Sequence, residues 1–348
     1  MHIFIDETGS FTGIGQPSPR ISMLGALIVE DRCLGRLFRD YSRLRPQLLS
    51  PGSREVKGNS LDERQIDKVV SLLHHRGAVF EVAGIDLGMH TEDEVASHRM
   101  AYAEKMTATL SDEHSSDFTA QVWSFRRRLE GFPLQLYIQT QLTFSLIKTV
   151  IEHGTLYHSQ RNPKELGSFH WVIDAKGSGS IPTNWEDWWQ TFILSDLQND
   201  SLWNPLPHYK EGDYSSFARF NAELSPFLKS VIPDHREDDP PALNLNLILQ
   251  ESFRFSSDPE PGLELVDIVT NAARRALSGN LDFAGWRNIP LLMIGRNKPS
   301  NIRMVALKPV DHAHTMPWWS TAVAFSRFGR QMLAGPFQAA RNTRRRRK

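Results

Sequence analysis

The chain has 348 residues, 40% of them hydrophobic, and its 40 lysines and arginines balance 40 aspartates and glutamates. That length allows a sizeable core in one large domain or two smaller ones, and a neutral net charge argues neither for nor against a polyanionic partner. The single cysteine, Cys33, excludes an intramolecular disulfide framework and a Cys-rich zinc site, and it fits a reducing compartment.

The first residues run straight into strand-like sequence, without the basic segment and apolar core of a signal peptide. No run reaches the roughly 18 apolar residues of a membrane span. A cytoplasmic protein with no membrane contact is expected. Residues 2–7 (HIFIDE) and 20–30 (RISMLGALIVE) flank a Gly/Pro-rich turn and predict an antiparallel strand pair. Ser60 followed by Glu63 has the spacing of a capping box. Ile66, Val69, Val70 and Leu73 continue at helical spacing, and Gly77 suits the stop. Residues 78–87 predict a third strand and 92–111 a helix, followed by a basic, weakly patterned stretch at WSFRRRLEG.

Pro133 opens, and Gly154 follows, a long helix over 133–153 that is apolar around much of its girth and is expected to lie on the sheet. A fourth strand over 168–175 ends in Asp174 and the loop KGSGS. A Trp- and Phe-rich helical insertion spans about 184–240, closing with an acidic, Pro-containing linker. Within it, Trp185, Trp188 and Trp189 have the i, i+3, i+4 spacing of a core or interface stripe, which could also serve a protein partner or a homo-oligomer. Residues 243–251 predict a fifth strand, and 262–278 a helix closed by Gly279. Residues 281–340 form a C-terminal extension packed on the 1–280 domain, and 341–348 a basic tail. Strands, then strands alternating with helices, predict an α/β fold with a mixed sheet. This order, about five strands with flanking helices, matches a ribonuclease H-like arrangement.

Acids end the apolar segments. Alternation along the first strand puts His2, Phe4 and Asp6 on one face and Ile3, Ile5 and Glu7 on the other, so Asp6 is the better site residue and Glu7 the reserve. Asp174 ends the fourth strand in the same way. Glu264, Asp267 and Asn271 share one stripe of the last helix, and Leu265, Val269, Ala272 and Ala276 share another. If the first and fourth strands are neighbours, Asp6, Asp174 and Asp267 converge. Three converging carboxylates repel one another unless a cation neutralises them, and hard oxygen donors suit Mg²⁺ or Mn²⁺. The blander alternative is that each acid starts a turn or lies on a solvated helix face.

DETGS at 6–10, EVKG at 55–58, the strand-end Asp174 and ELVDIVTNA at 264–272 together resemble the domain-of-unknown-function family numbered 3800, over roughly residues 1–280. The resemblance implies a ribonuclease H-like fold and a metal-dependent nuclease, associated with mobile elements or phage defence and acting on DNA or RNA. It implies Asp6, Asp174 and Asp267 as metal ligands, Glu7 and Glu55 as supporting acids, and Lys57 as a phosphate contact or a partner for an acid. Lys176, Arg274 and Arg275 are the basic residues in reach of substrate. Here Thr8 stands where the family often has Ser, and the family's closing Ala-Asp or similar pair reads Val266-Asp267. One feature departs from the wider pattern. Ribonuclease H-like enzymes usually carry a glutamate on the first long helix beside the sheet, whereas here that helix has Gln139 and Gln141 and no acid before Glu152. A catalytically inactive module that binds nucleic acid or protein is therefore the alternative.

Overall fold

A computed structural model describes residues 1–108, 110–112, 114–175, 184–223, 242–296, 299–310 and 313–335. Lys176, the acidic linker and the basic tail lie outside the described residues. The architecture is α/β: a six-stranded mixed sheet flanked by helices on both faces. Its strands are β1 (His2–Thr8), β2 (Ile21–Val29), β3 (Val79–Asp86), β4 (His170–Asp174), β5 (Phe253–Ser256) and β7 (Arg303–Met304). The spatial order is β5-β4-β1-β2-β3-β7. A separate parallel pair joins β6 (Ile294–Gly295) to β8 (Arg330–Gln331). β1, β2 and β3 form an antiparallel meander, while β4 runs parallel to β1 and β5 parallel to β4.

The two faces of β1 follow its alternation. Ile3 and Ile5, with Trp171 and Ile173 of β4, pack into one core with α5 (Leu134–His158). Phe4 and Val172 pack into the other with α9 (Pro261–Leu277), α1 (Asp31–Leu44) and α2 (Glu63–His75). α9 sits close on the sheet because β2 has no side chain beneath it at Gly25. A Cβ there would stand 2.0 Å from the Thr270 hydroxyl oxygen and 2.9 Å from the Phe80 ring. No helix among the described residues is long and apolar enough to cross a membrane.

Several elements differ from the sequence reading. The segment expected as the fifth strand splits into a helix, α8 (Leu245–Gln250), and then β5. Leu245, Ile248 and Leu249 sit at i, i+3 and i+4 and are all buried, and Asn244 accepts a hydrogen bond from the Leu247 amide as the cap, so the helical period wins over strand propensity. The capping box of α2 is Asp62 with Gln65, two residues beyond the pair read from sequence; Ser60 instead donates its hydroxyl to the Lys57 carbonyl. The basic stretch around Trp123 belongs to α4 (Ser116–Glu130), capped by Ser115, which packs on α3 (Glu92–Thr107). α5 continues through Gly154 to His158, because that position is buried inside the helix rather than beyond its end. In the insertion, α6 (Asn184–Trp188) runs through a π-turn over Trp189–Ile193 into α7 (Leu194–Trp203). Trp185, Trp188 and Trp189 are buried and Trp203 is exposed: Trp188 stacks on Phe192 at 3.8 Å and donates to the Thr140 hydroxyl at 2.7 Å, and Trp189 stacks on Phe253 at 4.4 Å.

Candidate functional site

The β1–β4 ladder ends at Ile5 and Ile173, so Asp6 and Asp174 occupy the next register position on each strand. Alternation from Phe4 and Val172 turns both toward α9. Thr8, two residues beyond Asp6 on the same face, donates its hydroxyl to Asn271 Oδ1 of α9 at 2.8 Å. Asp267 lies one turn earlier on that helix. Its Oδ1 accepts from the Asn271 amide at 2.6 Å and its Oδ2 from the Gly58 backbone N–H at 2.7 Å. Three acids from two strand ends and a helix therefore share one face.

Their electrostatics agree with that placement. Burial pushes Asp6 well above the ordinary carboxylate range, and the charges of Asp267 and Asp174 push it further; the Glu7 backbone N–H, at 2.6 Å from Oδ1, pulls the other way. Asp174 is raised to about 6, chiefly by burial, with Lys57 opposing and Glu55, Glu7 and Asp267 adding to the rise. Asp267 is raised by burial against its two hydrogen bonds. Burial thus disfavours the charge on all three, and Asp6 feels the other two most directly. The three are more widely spread than the one set of three metal-ligating groups whose ligand atoms all lie within 4.8 Å among the described residues, His2, Asp31 and His170 at the other end of β1.

The EVKG segment is docked on α9 through backbone groups. Glu264 is buried and takes four donors: Arg45 Nε and Nη2, both at 2.7 Å, the Tyr41 hydroxyl at 2.9 Å, and the Val56 N–H at 3.0 Å. Burial and the Glu264 charge push the Tyr41 phenol upward. Gly58 is required by contact, since a Cβ there would lie 2.7 Å from the Ile268 Cα and 2.8 Å from the Asp267 carbonyl oxygen. Lys57 bonds Glu55 at 2.6 Å with its side chain 58% exposed, so this pair stands at the rim.

No family model, curated protein or solved structure matches the chain. The resemblance to family 3800 therefore rests on the quoted motifs.

The remaining residues fall in three places. Glu7 points to the opposite face, where Gln139 of α5 donates to it at 3.1 Å. Arg274 is half-buried beside the acids and donates to the Thr8 hydroxyl at 2.9 Å; burial and the neighbouring Arg275 and Arg20 charges lower its pKa. Arg275 donates to the Leu61 carbonyl at 2.8 Å and to that of Gly58 at 3.5 Å, which ties down the loop. Sequence reasoning missed Tyr41 and Arg45, which carry no motif and sit on, and just past, a helix that was not read. Glu264 and Asn271 were visible as part of the acidic stripe, yet their role as the loop's acceptor and the brace of Asp267 was not.

Proposed function

We propose that this chain is a divalent-cation-dependent phosphodiesterase acting on nucleic acid, with a ribonuclease H-like sheet. The observation that carries the reading is the placement of Asp6, Asp174 and Asp267 on one face, where burial raises all three and the charges of Asp267 and Asp174 add to the rise of Asp6. The site lies at the carboxyl ends of β1 and β4, where the chain leaves β1 for β2 on one side and returns to β4 on the other. Ligands favour such a switch point in open α/β sheets. The strand order, with a meander on one side of β1 and parallel strands on the other, supports the ribonuclease H-like reading.

The donor set is all carboxylate oxygen, which fits Mg²⁺ or Mn²⁺ held by Asp6, Asp174 and Asp267. When bound, such a cation supplies charge neutralisation and polarisation of the phosphoryl group. The chain's own groups do the rest. Gly58 and Asn271 fix the Asp267 carboxylate in one orientation. Arg274 offers a guanidinium beside the acids, and its half-buried position strengthens attraction for a phosphate oxygen. Lys57, held at the rim by Glu55, is placed to exchange that acid for a second phosphate.

One observation favours the inactive alternative: Gln139, not an acid, is the residue of α5 that reaches β1's end. Labelled DNA and RNA incubated with wild-type protein, Asp6→Asn and Asp174→Asn in Mg²⁺ or Mn²⁺ decide between the two. Metal-dependent cleavage lost in both variants, with Mn²⁺ raising the melting temperature of wild type and not of Asp174→Asn, is the expected result. Nucleic-acid binding that ignores both metal and Asp174→Asn, with no cleavage, would make the chain a binding module.

A further inference from the structure

We propose a second metal site, selective for Zn²⁺ and similar borderline cations, formed by His2, Asp31 and His170 at the amino-terminal end of β1. It goes beyond the nuclease reading and does not depend on it.

Three elements bring these side chains together. His2 and His170 are register partners across the parallel β1–β4 ladder, so their rings project from the same face, stacked with centroids 4.6 Å apart. β2 runs antiparallel to β1 and ends beside His2, pairing Val29 with it, and the chain then turns into α1 at Asp31. One ligand atom from each of the three residues falls within 4.8 Å of the others. His2 Nε2 stands 3.2 Å from Asp31 Oδ1. Two ligands on a tetrahedral zinc, at the usual Zn–N and Zn–O lengths, lie about 3.3 Å apart. Little movement is needed to admit the ion.

The surroundings suit ligation. His170 Nδ1 contacts the Ser252 hydroxyl at 2.8 Å, which leaves Nε2 as the ligating nitrogen and sets the ring's orientation, as outer partners of metal-bound histidines commonly do. Asp31 is half exposed, so a fourth position opens to water. The Met1 ammonium also contacts Asp31 Oδ1, at 3.1 Å, but the Ser168 carbonyl at 2.8 Å and Glu165 Oε2 at 3.3 Å hold it as well, so it keeps partners when Asp31 turns to a cation. Two imidazole nitrogens, which are borderline donors, outweigh the one hard carboxylate oxygen and favour Zn²⁺, Co²⁺ or Ni²⁺ over Mg²⁺. The site differs from the three-aspartate group in donor type and in place: His2 precedes Asp6 by four residues on one strand, about 13 Å of rise.

Titration of the full chain with Zn²⁺ by calorimetry, and with Co²⁺ by visible absorption, tests the assignment. Wild type and Asp174→Asn are expected to bind one equivalent at this site with Co²⁺ ligand-field bands in the visible. His170→Gln and Asp31→Asn are expected to lose that equivalent, and Ser252→Ala to weaken it by about tenfold. Asp31→Asn keeps the test decisive should His170→Gln fold poorly, because Asp31 lies at the surface. Zn²⁺ uptake unchanged in Asp31→Asn, uptake lost in Asp174→Asn instead, or no uptake by wild type would each overturn the proposal.

Discussion

Replacing Glu264 with Ala strips the acceptor from four donors at once: two from Arg45, one from Tyr41 and the Val56 amide. Arg45 is mostly covered, with its side chain 28% exposed against 1% for Glu264. Removing one partner of a buried ion pair costs about 3–5 kcal/mol, because the remaining charge is left without compensation. For a chain of 348 residues the unfolding entropy is about 0.7 kcal/mol/K, so the melting temperature should fall by about 4–7 °C. The pair itself is not the whole effect. Arg45→Met with Glu264→Leu replaces both charges by apolar groups and should recover most of the ion-pair loss. It cannot restore an acceptor for Val56, whose buried N–H then costs about 1–3 kcal/mol. Differential scanning calorimetry of wild type, the single variant and the double variant measures both parts. A fall below 2 °C in Glu264→Ala, or a double variant no more stable than the single one, would refute the claim that Glu264 stabilises the fold through a buried charge pair with Arg45.

Three further outcomes follow from the same geometry. Asp174, raised to about 6, loses stability on ionising, so without divalent cation the fold should be favoured below about pH 4 at this group and should weaken as pH rises through about 6. Mn²⁺ should offset that loss above pH 6, and melting curves across pH 4–8 with and without Mn²⁺ check the sign. Gly58→Ala forces the loop off α9, costs about 1–3 kcal/mol by overpacking and lowers Mn²⁺ affinity; unchanged affinity with lowered stability would separate the loop from the acids. Glu7→Gln should cost far less cleavage than Asp6→Asn, since Glu7 faces α5, and a dead Glu7→Gln beside an active Asp6→Asn would reverse their roles.

How much of this was legible depends on the range over which each signal acts. The two-residue period placed Asp6 apart from Glu7, because it is a property of a single strand. The spacing of Ile66, Val69, Val70 and Leu73 marked the buried face of α2 for the same reason. Convergence of Asp6 with Asp174 needed one further guess, that β1 and β4 are neighbours, and the sheet order agrees. α1 was not read. It carries Tyr41 and is followed directly by Arg45, and the purpose of both is set by Glu264, a residue far along the chain. The helix-to-strand change at 245–256 turned on a cap, Asn244, inside a short apolar run that both periods fit. His2, Asp31 and His170 have no spacing that joins them, since only the parallel ladder and the end of β2 bring them together.

The sheet's two edges bear on how copies of this chain meet. At one edge β5 is four residues long, and its outward Arg254 is ion-paired to Glu260. At the other, β7 pairs only Ala83 and Gly84 of β3, and farther along Arg330 occupies the Gly77 and Ala78 carbonyls at 2.9 and 2.7 Å. Short strands and charged side chains at an edge deny an incoming strand a continuous row of backbone partners. The two edges of the six-stranded sheet are therefore poor templates for an incoming strand.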